Sequence, residues 1–202
     1  MTVAPSQSLP SGTVLYRVAD PVYGLSFKWV APAPFRGGRF DCVDGSYGYS
    51  YFAGDPAVAL AEVYTRDLAP TPHMRTLPAD RLANAVLLTV ETTTAFDIQL
   101  LHGRHLTAIG ETAALTKSEP NDYDRTRAVA AQLVADHSVA RGLRYRPRHD
   151  EDGFAYMLYT REEERELSTL VTRVEEDVPL GTGDGLELAT TLLAQYNVSV
   201  ER

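Results

Sequence analysis

The stretch Tyr51–Tyr64, "YFAGDPAVALAEVY", changes its hydrophobic period within four residues. Up to Ala53 it continues the run "YGYSYFAG", in which Tyr47, Tyr49 and Tyr51 recur at period two and so share one face of a short strand. After Gly54 it becomes a helix. Asp55 is placed as the N-cap, Pro56 fits the first helical position, and the Ala/Leu-rich interior favours helix. Strands and helices mix along the rest of the chain without a repeating strand–helix–strand rhythm. An α+β fold is expected rather than a doubly wound sheet.

Upstream, "TVLYRV" (13–18) alternates and is β-branched, which predicts a strand. Between it and the tyrosines lies a Pro- and Gly-interrupted loop ending in Phe35–Asp41, "FRGGRFD". Downstream, "NAVLLTVETT" (84–93) and "AFDIQ" (95–99) read as strands. A second helix is expected over 124–142, with Val129, Leu133, Asp136 and Val139 marking its turns and Gly142 as C-cap. "LRY" and "FAYMLY" around the charged turn "RPRHDEDG" suggest a hairpin with a long loop. "REEERELSTLVTRVEE" is ambiguous between helix and strand. A C-terminal helix is expected over 183–198, capped by Asp184. Residues 1–12 read as a flexible lead-in and 13–202 as a single domain.

The chain has 202 residues, enough to bury a core without staples, and its 44% hydrophobic and 23% charged content suits a soluble globular protein. A formal charge of -8 argues against duplex nucleic acid as the main partner, while leaving room for a small anion in a local basic pocket. The single cysteine, Cys42, permits no internal disulfide and suits a reducing, cytoplasmic setting. No apolar run approaches the ~20 residues of a membrane helix, and the N-terminus does not read as a signal peptide. Of five histidines, only His102 and His105 are spaced to share a ligand, so no metal site is expected. A homo-oligomer is compatible with the sequence.

Four features stand close together in the first third. Arg17 lies mid-strand, where it either meets solvent or needs a buried anion. Gly37 and Gly38 let backbone approach a ligand, and the Arg39 fork suits phosphate. The tyrosines are core aromatics by default, but they also offer a wall against which a flat ring stacks. Glu62 is the only carboxylate after the cap in an otherwise apolar helix, so it wants an arginine or a ligand hydroxyl.

"LYRV", then "GGRFD", then "YFAGDPAVALAEVY" resembles the RES domain, named for its Arg, Glu and Ser signature. The match is good over about 13–66 and continues more weakly to about 160 through the second helix and "GLRY". The resemblance implies a compact ADP-ribosyltransferase-like fold with a central antiparallel or mixed β core and flanking helices. It implies NAD+ as substrate, a toxin activity that cleaves the nicotinamide–ribose bond, and an inhibitory partner, an Xre-type antitoxin. Carried over residue by residue, the arginines fall on Arg17 and Arg39, the tyrosine on Tyr51 and the glutamate on Glu62. Glu62 and Arg39 are then the expected catalytic pair. Arg17, Arg39, Gly38, Tyr51 and Tyr49 are the expected NAD+-binding residues, with the arginines holding the diphosphate, Arg36 assisting, and the tyrosines bordering the ring. The signature serine does not carry over: Asp124 or Thr126 stands at one candidate place, Arg146-Pro147 at the other, and Ser118 is out of register. A catalytically impaired NAD+-binding module is the alternative reading. The acceptor is not legible: water, phosphate or a protein would all fit.

Overall fold

Alternating strands, three of them apolar on both faces, account for most of the architecture. The computed structural model describes residues 4–30, 37–66, 68–69, 71–162 and 166–201, so Phe35, Arg36 and the middle of "REEERE" lie outside the described residues. In chain order the elements are β1 (Ser6–Leu9), β2 (Val14–Ala19), β3 (Gly48–Ala53), α1 (Pro56–Tyr64), β4 (Arg75–Pro78), β5 (Val86–Thr92), β6 (Phe96–Leu101), α2 (Arg104–Ala108), α3 (Ala114–Lys117), α4 (Tyr123–Asp136), β7 (Gly142–Tyr145), β8 (Ala155–Thr160), β9 (Val171–Arg173), β10 (Val178–Pro179), α5 (Gly183–Ala194) and β11 (Val198–Glu201). The main sheet runs β1-β6-β7-β8-β3-β2-β5-β10, with β9 also on β5, and β11 pairs with β4 in a second, two-stranded sheet. In the main sheet the β6–β7 pairing is parallel and the others are antiparallel, as expected of an α+β chain with a mixed core.

The sheet is covered on both faces, which is why β3, β5 and β8 are buried almost throughout. On one face, α4 lays Ala130, Leu133 and Val134 over Tyr47, Tyr49, Tyr145 and Tyr159. Beside it, α1 and α5 pack Val58, Leu60, Ala189 and Leu193 over Ala53 and Leu87. On the other face Leu15, Phe52, Leu88 and Leu158 pack against Leu25, Phe27, Leu167 and Leu170 from irregular segments. The Asp55 cap is formed as expected: its Oδ1 accepts from the Ala57 N–H at 2.7 Å, with Pro56 opening the helix.

Several sequence expectations are corrected. The lead-in is not free: residues 6–9 form an edge strand in register with Phe96–Gln99, anchored by buried Leu9 and by the Leu100 N–H donating to the Pro5 carbonyl at 2.8 Å. Helix α4 stops at Asp136, and Val139 stands exposed beyond it. The Arg161 guanidinium takes the carbonyls of Val134, His137 and Ser138, closing the helix end from a distant segment. Gly142 is no cap but the first residue of β7. A Cβ there would lie 3.0 Å from Leu158 and 3.1 Å from Ile98, so packing between neighbouring strands selects the glycine. Helix α5 begins after Thr182, with Asp184 in its first turn rather than at its cap, and ends at Ala194. Asn197, at φ 55°, then turns the chain into β11. Among the described residues no helix is long and apolar enough to cross a membrane.

Candidate active site

The "GGRFD" turn is held from two sides. Asp41 is buried, and its Oδ2 accepts from the Gly38 N–H at 2.8 Å while Oδ1 accepts from the Tyr51 hydroxyl at 2.7 Å. The same hydroxyl accepts from the Phe40 N–H at 3.1 Å. The Phe40 carbonyl takes the Tyr47 hydroxyl at 2.9 Å, the Arg39 carbonyl takes Thr126 Oγ1 at 2.5 Å, and the Gly38 carbonyl takes Arg127 Nε at 3.2 Å. The polar backbone of residues 38–40 is thus tied to β3 on one side and α4 on the other, which fixes where Arg39 points. Burial raises the Asp41 carboxyl above its ordinary range, while its bonds from Tyr51 and Gly38 pull the other way. Burial, with the Asp41 charge beside it, pushes the Tyr51 phenol well up, so it stays a donor.

The glycines are required by this latch. A Cβ on Gly37 would stand 2.0 Å from Asp41 Oδ2, and one on Gly38 would stand 2.8 Å from the Tyr51 hydroxyl and 2.9 Å from Asp41 Oδ1. Close approach does select them, but by Asp41 and Tyr51.

Next to the latch the sheet opens. β2 and β3 are in register only at Tyr16 and Ala53, and the vacated edge of β3 is met instead by Lys28, which exchanges two backbone bonds with Tyr49 at 2.8 and 2.9 Å. Strand alternation turns the Tyr51 N–H and C=O to the same side as those of Tyr49, into the gap. The result is a cleft of about 280 Å³. Arg17, Gly38, Arg39, Tyr49, Tyr51 and Glu62, the expected site residues, all line it.

Glu62 faces the cleft because Ala57–Ala61 are buried and the next position, Val63, takes the more exposed side of α1. Its Oε2 lies 3.7 Å from Arg39 Nη1 and accepts from the Tyr145 hydroxyl at 3.2 Å. Arg39 is buried and stands 5.7 Å above the Tyr145 ring. Burial opposes its charge, and the Glu62 carboxylate with the surrounding tyrosines more than offsets that. Burial pushes the Tyr145 phenol far up, and the neighbouring Glu62 charge adds to it, so Tyr145 is a fixed donor to Glu62.

Arg17 is the unusual charge. It is buried, its guanidinium stands 5.6 Å from the Phe52 ring, and its Nη1 has no hydrogen-bond partner among the described residues. Burial lowers its pKa to about 10. Tyr49, at 1% exposure, is chiefly a core side chain, edge-on to Tyr47 and Tyr51, and only borders the cleft.

Of the residues weighed for the missing serine, Ser118 bonds locally to the Leu115 carbonyl and Asp124 is exposed on α4. Arg146 closes its own turn through the Asp152 and Gly153 carbonyls. Thr126 alone of these reaches the arginine turn. Sequence reading assigned no role to Asp41, Tyr123, Arg127 or Tyr145. Asp41 left a trace as the end of "GGRFD", and Tyr145 in the alternation of "GLRY". Among the described residues no group of three or more His, Cys, Asp or Glu side chains is placed to hold a metal ion; His102 and His105 stand with ring centres 5.1 Å apart.

A model of the RES domain family matches residues 14–180. The chain belongs to the RES domain family. No curated protein matches it in sequence. Among solved structures, this RES domain is similar in fold to the crystal structure of the M. tuberculosis MbcT–MbcA toxin–antitoxin complex, with a TM-score of 0.65 and 17% identity over 93% of this chain and 92% of that one.

Proposed function

We propose that this RES domain is a toxin that binds NAD+ in the cleft between β2 and β3 and cleaves its nicotinamide–ribose bond. The observation that carries the reading is the pairing, in one cleft, of an oriented carboxylate with a buried guanidinium whose Nη1 has no partner among the described residues. Glu62 is held by Arg39 and Tyr145, and Arg17 keeps a donor for an anion. Arg17 and the edge of Arg39 left by Glu62 suit the two phosphates of NAD+. The Tyr51 backbone offers a donor and an acceptor to the nicotinamide carboxamide, while Tyr49 and Tyr51 border its ring.

In the cleavage, the electron pair of the C1′–N bond leaves with the nicotinamide ring, whose positive charge it cancels. Positive charge then develops at ribose C1′ and its ring oxygen. The Glu62 carboxylate stabilises that charge and accepts from a ribose hydroxyl. Arg39 and Tyr145 keep the carboxylate in place without rearrangement at the transition state. A nucleophile adds to C1′ and loses its proton; with water the product is ADP-ribose.

A second reading is favoured by one observation. The signature serine is missing, and the Thr126 hydroxyl is engaged by the Arg39 carbonyl. A domain of this kind would bind NAD+ without turning it over. The similar M. tuberculosis protein is found with an antitoxin, and an inhibitory partner, of Xre type, covering this cleft is proposed here too. The test is to incubate the purified chain with NAD+ and follow both free nicotinamide and melting temperature. Release of nicotinamide supports the enzyme. A raised melting temperature without release supports the binding module, and neither response refutes both.

A further inference from the structure

On the face of the sheet opposite Tyr145, β7 presents Arg144, and Arg146 follows in the same alternation. Both guanidiniums lie on one ring: their central carbons are 4.5 and 3.7 Å from the centre of Phe154. His102 stands 4.9 Å from the same ring, and His105 is 5.1 Å from His102. The contacts of the two arginines are neutral. Arg144 Nη2 donates to Gln7 Oε1 at 3.3 Å and meets His102 Nε2 at 3.1 Å, with the Tyr156 phenol alongside. Arg146 Nη1 donates to the carbonyls of Asp152 at 2.6 Å and Gly153 at 3.0 Å. Arg144 Nε is buried without a hydrogen-bond partner, and among the described residues neither guanidinium forms a salt bridge.

This is an odd arrangement for a chain with 27 acidic residues against 19 Lys and Arg. Two half-buried like charges on one ring repel, and the ring quadrupole only partly relieves them. Burial, with Arg144, His105 and Arg146 adding to it, lowers the His102 pKa to about 4, so the ring is neutral near pH 7. Its Nε2 then accepts from Arg144, which leaves the proton on the other ring nitrogen. The cluster is thus rich in N–H donors, cationic and without an anion. Arginine forks match the edges of a phosphate, which a lone carboxylate would only half neutralise.

We propose that Arg144, Arg146 and His102 form a binding site for a phosphate group, free or as a phosphomonoester, distinct from the cleft that Glu62 lines. The site is built on β7, whose next side chain, Tyr145, holds Glu62 on the opposite face, so its occupant sits one residue from the candidate active site.

The test separates this site from the cleft. The full chain carrying Arg17→Gln, which removes the buried guanidinium from the cleft, is titrated calorimetrically with inorganic phosphate and with AMP at low ionic strength. One saturable site is expected, weakened roughly tenfold or more when Arg146→Gln is added. Tighter binding of AMP identifies a phosphomonoester as the occupant, and equal binding a free phosphate. Unchanged affinity in the Arg146→Gln chain overturns the proposal. A second measurement needs no substitution. In the natural chain the His102 ring resonances are titrated with and without phosphate. The groups facing this ring are Arg144, Arg146, His105 and Phe154. A bound anion should raise the midpoint from about 4, and a midpoint unmoved at saturating phosphate overturns the proposal.

Discussion

A buried arginine whose Nη1 finds no partner among the described residues burdens the fold it sits in, and Arg17 is such a residue. Replacing a buried charge by an apolar side chain of similar length commonly stabilises, so Arg17→Met is expected to gain about 1 kcal/mol. In a chain of this size that corresponds to a melting temperature higher by about 2–4 °C. The same change should weaken NAD+ binding, read by thermal shift or calorimetry. A fall in stability would mean that Arg17 serves the fold. Asp41 is the opposite case, since both its oxygens accept hydrogen bonds. In Asp41→Asn one oxygen becomes an NH2 facing a donor, and a loss of about 1–3 kcal/mol in chemical denaturation is expected. The sequence made Arg17, Arg39 and Glu62 legible, because charges interrupting apolar periods stand out. It hid the bonds of Asp41 to Tyr51, of Thr126 to Arg39 and of Tyr145 to Glu62, because those partners lie 10 to 87 residues apart in the chain.

Local signals carried the elements with strong chemistry of their own. The Asp55-Pro56 cap and the alternation of β2 and β3 were readable, and so was the β7–β8 hairpin. Ends fixed from a distance were not. α4 is closed by Arg161, Gly142 is chosen by strand packing, and β1 and β11 exist only through pairing with β6 and β4. The glycines of the "GGRFD" turn stood out in the sequence while the latch that requires them did not, and this leads to a prediction. Gly37→Ala would drive a Cβ to 2.0 Å from Asp41 Oδ2 and break the latch. A loss of about 1–3 kcal/mol is expected, with weaker NAD+ binding in the fraction that folds. A variant as stable as the natural chain would show that the latch does not hold the turn.

At the scale of the whole molecule, acid stability carries the mark of the second basic cluster. The folded His102 pKa, about 4, lies below the ordinary 6.5. The unfolded chain therefore binds more protons between those values, and stability falls as pH drops from about 6.5 towards 4. His149, lowered chiefly by burial, adds in the same direction, while the raised Asp41 carboxyl opposes it. His102→Gln should flatten the slope of melting temperature against pH in this window by removing one component. An unchanged slope would show that His102 is not held neutral. The molecule thus has a cleft between β2 and β3 and a basic cluster on β7, with Arg17 and Arg144 on one face of the sheet, and the account of function rests on the cleft that contains Glu62. The most direct test is nicotinamide release from NAD+ by the natural chain and by Glu62→Gln, which keeps an acceptor for Tyr145. The account predicts release by the natural chain and a fall of about a hundredfold or more in the folded variant. Equal release by both would contradict it.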